Sequence, residues 1–139
     1  MFRVETRTLD GQATAVGGAG PHSVIVDRPI EAGGGGRGFN GGQLLHLAVA
    51  GCVSNDLFRE AERSGIRLSR VVVTVDGDFD GDPPVSTGIT YEVDVEGEAS
   101  TEDLDALVRH VDAVAEIPNS LRRGTPVQLR NAKVHQPFS

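Results

Sequence analysis

A second cysteine is missing from this chain, and Cys52 stands alone. One sulfur cannot make a disulfide within the chain, so any thiol chemistry ends at Cys52 or needs a sulfur from elsewhere. Tryptophan is absent and aromatics are 4% of residues, so the core has to be built from Val, Leu, Ala and Ile. Positive charge is sparse: 13 Lys and Arg face 20 Asp and Glu, for a net −7. An acidic surface excludes a binder of phosphate backbones, which needs clustered cations, and no nucleic-acid partner is expected. No apolar run approaches the roughly 18 residues that span a bilayer. Residues 1–7 alternate polar and apolar and lack the apolar stretch of a signal peptide. The expectation is a soluble cytoplasmic protein in a reducing compartment, with no membrane partner.

The chain has 139 residues, the length of a single domain, 1–139. Residues 1–27 read as an antiparallel meander. Phe2, Val4, Thr6 and Thr8 alternate with Arg3, Glu5 and Arg7, Asp10-Gly11 signals a hairpin, and Gly17-Gly18-Ala19-Gly20-Pro21 breaks the returning strand before His22–Asp27. A Gly-rich loop, 28–40, follows. The main helix spans 42–64. Its first half (Leu44, Leu45, Leu47, Ala48, Val49, Cys52, Val53) is apolar on nearly every side, which predicts burial on every side, and its second half turns amphipathic. Gly65 is a natural stop. Strands are expected at 68–79 and 88–96, a second helix at 101–116 ending near Pro118, and a last strand at 125–134. Hairpin strands beside separate helices indicate α+β with antiparallel sheets. One such domain cannot easily wrap an all-apolar helix, so a homodimer is expected to complete the burial.

Few motifs carry chemistry. A lone thiol in an apolar helix is either an inert buried group or the reactive centre. Gly33-Gly34-Gly35-Gly36-Arg37-Gly38 lacks the Gly-Lys-Ser/Thr of a phosphate cradle and reads as a flexible connector. His22, His46, His110 and His135 show no metal-ligand spacing with one another or with Cys52. The acids of 76–82 lack the closing Glu of a calcium loop, where residue 87 is Thr. Neither a metal nor a cofactor is expected.

The order of elements, together with His22–Asp27, the Gly-rich loop, Asn40-Gly41-Gly42-Gln43-Leu44-Leu45 and Ala50-Gly51-Cys52, resembles the osmotically inducible protein C and organic hydroperoxide resistance family (OsmC/Ohr). Ile117-Pro118-Asn119-Ser120-Leu121 is similar to that family's second-cysteine segment. The resemblance implies an intertwined homodimer with antiparallel sheets wrapped around central helices. It also implies reduction of organic hydroperoxides by an attacking and a resolving cysteine, the attacking thiolate being held by an Arg and a Glu. By this resemblance Cys52 matches the attacking cysteine. The resolving cysteine falls at Ala115, the Glu at Gly42 and the Arg at Ala19. The two-cysteine mechanism is therefore excluded.

Two readings stay open. In the first, Cys52 is the nucleophile of a one-cysteine thiol peroxidase, with peroxidase activity weak or absent, an external small thiol as reductant, and Arg37, His46, Asn119 and Arg122 as candidate neighbours of the sulfur. His46 lies about 120° around the helix from Cys52, so it would have to reach from the other subunit. In the second, the protein is a non-catalytic dimer that holds a small apolar ligand in a pocket at the subunit interface.

Overall fold

The computed structural model describes residues 1–137. Strands β1 (Glu5–Thr8), β2 (Ala15–Ala19) and β3 (His22–Val26) form one antiparallel sheet in that order. Helix α1 (Gly41–Arg63) follows a loop with a single 3-10 turn, and β4 (Leu68–Asp80) and β5 (Val85–Gly97) form a second, two-stranded antiparallel sheet. Helices α2 (Thr101–Val114) and α3 (Glu116–Arg122) complete the α+β fold. The chain contains no described helix long and apolar enough to cross a membrane.

The first hairpin is wider than Asp10-Gly11 suggests, because pairing starts at Thr8 opposite Ala15. Strand β2 runs through Gly17 and Gly18 rather than breaking there. Gly17 pairs with Val24, and a Cβ on it would lie 3.3 Å from the Val24 and Val26 side chains. A missing side chain lets those valines close over the strand, and the turn moves to Gly20, whose φ is +58°.

The glycine-rich loop is tied down rather than left as a flexible connector, and its anchor is Asp27. Thr14 donates its hydroxyl to Oδ2 at 2.7 Å, and the Arg37 N–H donates to the same oxygen at 3.2 Å. The N–H groups of Arg28 and Gly35 donate to Oδ1 at 2.8 and 3.2 Å. Thr14's hydrogen bond and the three backbone donors hold the buried Asp27 carboxyl down at about 2, below its ordinary 3.8. A depressed folded-state value means that the ionised side chain adds stability above pH 3.8, and that this stability fades as pH falls toward 2. Asp27→Asn is expected to be less stable than the parent at neutral pH, with the gap closing across that acid window. Urea unfolding of both proteins from pH 7 down to pH 2 checks it, and a gap independent of pH would count against the anchor.

Asn40 caps α1. Its side chain accepts from Gln43 N–H at 2.8 Å while Gln43 Oε1 accepts from Asn40 N–H at 3.0 Å, a reciprocal capping box. Gly65, at φ +71°, follows the helix end as expected. Burial along α1 differs from the sequence expectation of burial on every side. Val53, Leu57 and Ala61 pack with Leu107, Val111 and Ala115, against Val71, Val73, Tyr91 and Val93 of the β4–β5 sheet. The apolar first half is buried on one face, at Val49 and Val53, and open on another, with Leu47 50% exposed and Ala48 and Gly51 on the surface. The β4–β5 sheet with α2 and α3 covers one face of α1 and leaves the Leu47 face of its first half to solvent. On α2, Val114 is likewise exposed rather than inward.

Two further expectations change. Helix α2 stops at Val114, and a separate α3 begins after Ala115, whose extended backbone breaks the run. Pro118 falls in the first turn of α3, where its missing N–H is not needed. The strand expected at 125–134 does not form. The segment alternates correctly, but among the described residues no strand pairs with it, and Val127 and Leu129 are 94% and 86% exposed. A strand exists only where its N–H and C=O groups meet another edge, and one chain offers this segment none.

Candidate functional site

Cys52 sits midway along α1, half-buried, and packs against the core cluster that includes Ala115. Its one polar contact is with Asp56, one turn on, where the thiol donates to Oδ2 at 3.9 Å. Asp56 is 6% exposed and is held in turn by Arg59, whose Nη1 lies 3.2 Å from Oδ1. Glu60, another turn along the same stripe, is equally buried and meets Arg59 at 3.8 Å, Arg63 at 3.3 Å and His110 at 3.4 Å. Two buried acids on one helix face are tolerated because each has a cation in reach.

The candidate neighbours of the sulfur scatter. Arg37 lies in the glycine-rich loop and donates to Gln12 Oε1 at 3.3 Å. His46 turns toward the β4–β5 sheet, with its ring edge-on to Phe79 at 6.1 Å. The Gly42 carbonyl accepts from Nδ1 at 2.6 Å, and Nε2 is buried with no partner among the described residues. Asn119 and Arg122 do come together: Asn119 donates to the Ala113 carbonyl at 2.9 Å and accepts from Arg122 Nη1 at 2.9 Å. None of the four hydrogen-bonds or ion-pairs with Cys52 within the chain.

The positions matched to family residues are accounted for by packing. Ala115 is fully buried in the cluster beside Cys52. A Cβ at Gly42 would lie 3.1 Å from the Phe79 ring, so Phe79 occupies the direction a longer side chain would take.

Three polar residues escaped the sequence reading. Asp56 was findable, because i and i+4 share a helix face. Tyr91 and Asp112 were not, since their meeting depends on how β5 packs on α2. Tyr91 donates its hydroxyl to Asp112 Oδ1 at 2.5 Å, and Arg122 Nη2 donates to the same oxygen at 2.7 Å. Burial, then the bond to Asp112, pushes the Tyr91 phenol up to about 12, while the Tyr91 and Arg122 bonds hold the Asp112 carboxyl below the usual carboxylate range.

This network borders a cavity of about 230 Å³, lined by Val49, Ile89, Pro118 and Leu121 together with Ser86, Gly88, Tyr91 and Arg122. Val49 lies one turn of α1 before Cys52. A second, larger cleft of about 700 Å³ opens between the β1–β3 sheet and Leu44 and Ala48 of α1, with mostly apolar walls that include Val4, Val24 and Val26. Among the described residues no three of His, Cys, Asp and Glu converge as metal ligands would.

No curated protein sequence matches the chain. Solved structures do match its fold. An OsmC-like protein from Mycoplasma pneumoniae superposes with a TM-score of 0.76 at 15% identity, covering 90% of this chain and 89% of that one. The organic hydroperoxide resistance protein OhrB of Bacillus subtilis gives 0.64 at 20% identity, over 89% and 92%. A putative organic hydroperoxide resistance protein from Vibrio cholerae, with captopril bound in one of its active sites, gives 0.59 at 21% identity, over 89% and 85%. The family model described as OsmC-like protein matches residues 33–130, from the glycine-rich loop to the extended C-terminal segment. By that match over most of its length, together with the shared fold, the chain belongs to the OsmC-like protein family.

Proposed function

We propose that the protein is a homodimer that admits small apolar molecules, organic hydroperoxides among them, beside Cys52, and that it reduces hydroperoxides slowly with this one thiol. The observation behind the slow rate is that the sulfur's hydrogen-bond partner among the described residues is the Asp56 carboxyl, at 3.9 Å, and not a guanidinium. In the productive step the Cys52 sulfur attacks the distal peroxide oxygen. An S–O bond forms, the O–O bond breaks, and the alcohol leaves with the thiol proton, giving a sulfenic acid. An external small thiol condenses with the sulfenic acid, releasing water and leaving a mixed disulfide. A second external thiol restores Cys52 and departs as the external disulfide. Such thiols are abundant in the cytoplasm, the proposed location.

Captopril in an active site of the Vibrio relative supports a cavity that takes small molecules. The open first half of α1, the apolar cleft beside it and the unpaired 125–134 segment support the dimer, because each is an apolar or unpaired surface that a second copy would cover.

The test is consumption of cumene hydroperoxide with a small-thiol or dithiol reductant, comparing the parent with Cys52→Ser. Slow turnover is expected in the parent and none in the variant, with an added oxygen at Cys52 in the intact mass after peroxide exposure. Equal consumption by both proteins, or a parent mass unchanged by peroxide, would sink the enzymatic reading and leave a dimeric binding protein. Turnover in the parent as fast as in two-cysteine enzymes would overturn the slow-rate claim.

A further inference from the structure

The Cys52 thiol and the Asp56 carboxyl face each other across a gap that a thiol fills badly. Asp56 lies four residues beyond Cys52, and side chains on a helix lean toward its N-terminus, so the carboxyl is laid back over the sulfur. The residue is 6% exposed, and Arg59 Nη1 fixes its Oδ1 at 3.2 Å. Oδ2 is aimed at the sulfur 3.9 Å away, and no other donor reaches it among the described residues. S–H is a weak donor, and 3.9 Å is a long reach for it. A buried carboxylate oxygen is therefore left short of a good partner, at the one position in the chain where a thiol faces it.

One added oxygen supplies that partner. A sulfenic acid extends from the sulfur by one S–O bond and ends in O–H, a stronger donor than S–H. Bent toward Oδ2, it spans the 3.9 Å gap with an ordinary O–H···O separation of about 2.7 Å. The acceptor is ion-paired to Arg59, and a charge-assisted bond is roughly twice as strong as a neutral one. The chain holds no second thiol to consume the sulfenic acid, so its surroundings set its lifetime. Further oxidation proceeds when the ionised sulfenate attacks a second peroxide: another S–O bond forms, the O–O bond breaks, and an alcohol or water leaves. A carboxylate that holds the O–H suppresses the anion that makes this attack. The sulfur stays open to an incoming thiol, whose electron pair forms S–S while the hydroxyl departs with the thiol proton as water.

We infer that Asp56 is a second functional residue at this thiol: it receives the sulfenic O–H, holds Cys52 at the first oxidation step and so keeps it reducible by an external thiol. The inference deepens the proposed function and rests on its reading that Cys52 attacks peroxides. Arg59 acts at one remove as a positioning residue, because it fixes Oδ1 and leaves Oδ2 to the sulfur.

The test makes the sulfenic acid with hydrogen peroxide, which needs no apolar cavity, and follows Cys52 by dimedone labelling and intact mass. After the peroxide is removed, the parent should keep a sulfenic acid that still takes the label. Asp56→Asn has the same shape without the charge. In it the ratio of second to first oxidation rates is expected to rise about tenfold, the worth of one hydrogen bond to a charged group. A purely structural role for Asp56 would change both rates together and leave their ratio alone. An equal ratio in parent and variant overturns the inference, as does a parent that takes no label or whose thiol stays unoxidised. If the Asn variant fails to fold, persistence of the label in the parent decides. Cumene hydroperoxide turnover can be absent while the sulfenic acid made with hydrogen peroxide persists. It can also be present while parent and variant over-oxidise alike, so the two readings fail separately.

Discussion

Leu57→Ala is expected to lower the unfolding free energy by about 3–4 kcal/mol, in the upper part of the range for large-to-small core changes. Leu57 is fully buried at the centre of the one cluster that joins α1, α2 and the β4–β5 sheet. Its neighbours Ala61 and Ala115 are already small, and Val53 and Val111 are β-branched and stiff at χ1, so little can move in to refill the space. The loss should appear as a fall in Tm of roughly 10 °C for a chain of this length. Urea and thermal unfolding of both proteins measure it, at one fixed protein concentration because association would add its own stability. A cost below about 1 kcal/mol, within the scatter of surface substitutions, would mean that the core has been placed on the wrong half of α1.

Leu47→Asp should leave the folded chain intact and convert a dimer to a monomer. In the single chain Leu47 is half exposed on the open part of α1, beside Ala48 and Gly51, whose small side chains permit close approach of a second element. An aspartate there costs little while it faces water. Covered by a second copy without a partner charge, it would cost about 4 kcal/mol, roughly a thousandfold in the dimer dissociation constant. Sedimentation equilibrium should find the parent at twice the 14.6 kDa chain mass and the variant at that mass itself. A monomeric parent, or a variant that still dimerises, would remove the dimer from the proposed function. Circular dichroism separates this outcome from unfolding, since the core cluster does not include residue 47.

How far the sequence could be read varies from element to element. The strands at 68–79 and 88–96 announced themselves by alternation: Val71, Val73 and Val75 on one and Ile89, Tyr91, Val93 and Val95 on the other turn inward, because the side-chain period of a strand is two whatever surrounds it. The end of α1 was marked by Gly65, a local backbone effect, and its extent by the apolar run, while the Asn40–Gln43 capping box that fixes its start emerged with the structure. The identification of Cys52 was equally local, since no other thiol exists in the chain.

Burial was not legible. An apolar residue is buried only if something covers it, so one face of the first half of α1 stands open, while Asp56 and Glu60 are buried beside Arg59, Arg63 and the His110 ring. Within one chain Arg37, His46 and Arg122, the candidate neighbours of the sulfur, are each drawn toward a different element.

The order of residues by itself determined the antiparallel α+β plan, the single thiol, the absence of an intrachain disulfide and the family. Period, capping and composition act over a few residues, and they need no third dimension. Only the tertiary structure decided that Asp56 and Glu60 are buried and that Tyr91 and Arg122 share one oxygen of Asp112. Those facts depend on the angle at which β5, α2 and α3 meet, which is set by close packing across the whole domain and leaves no periodic trace in the chain.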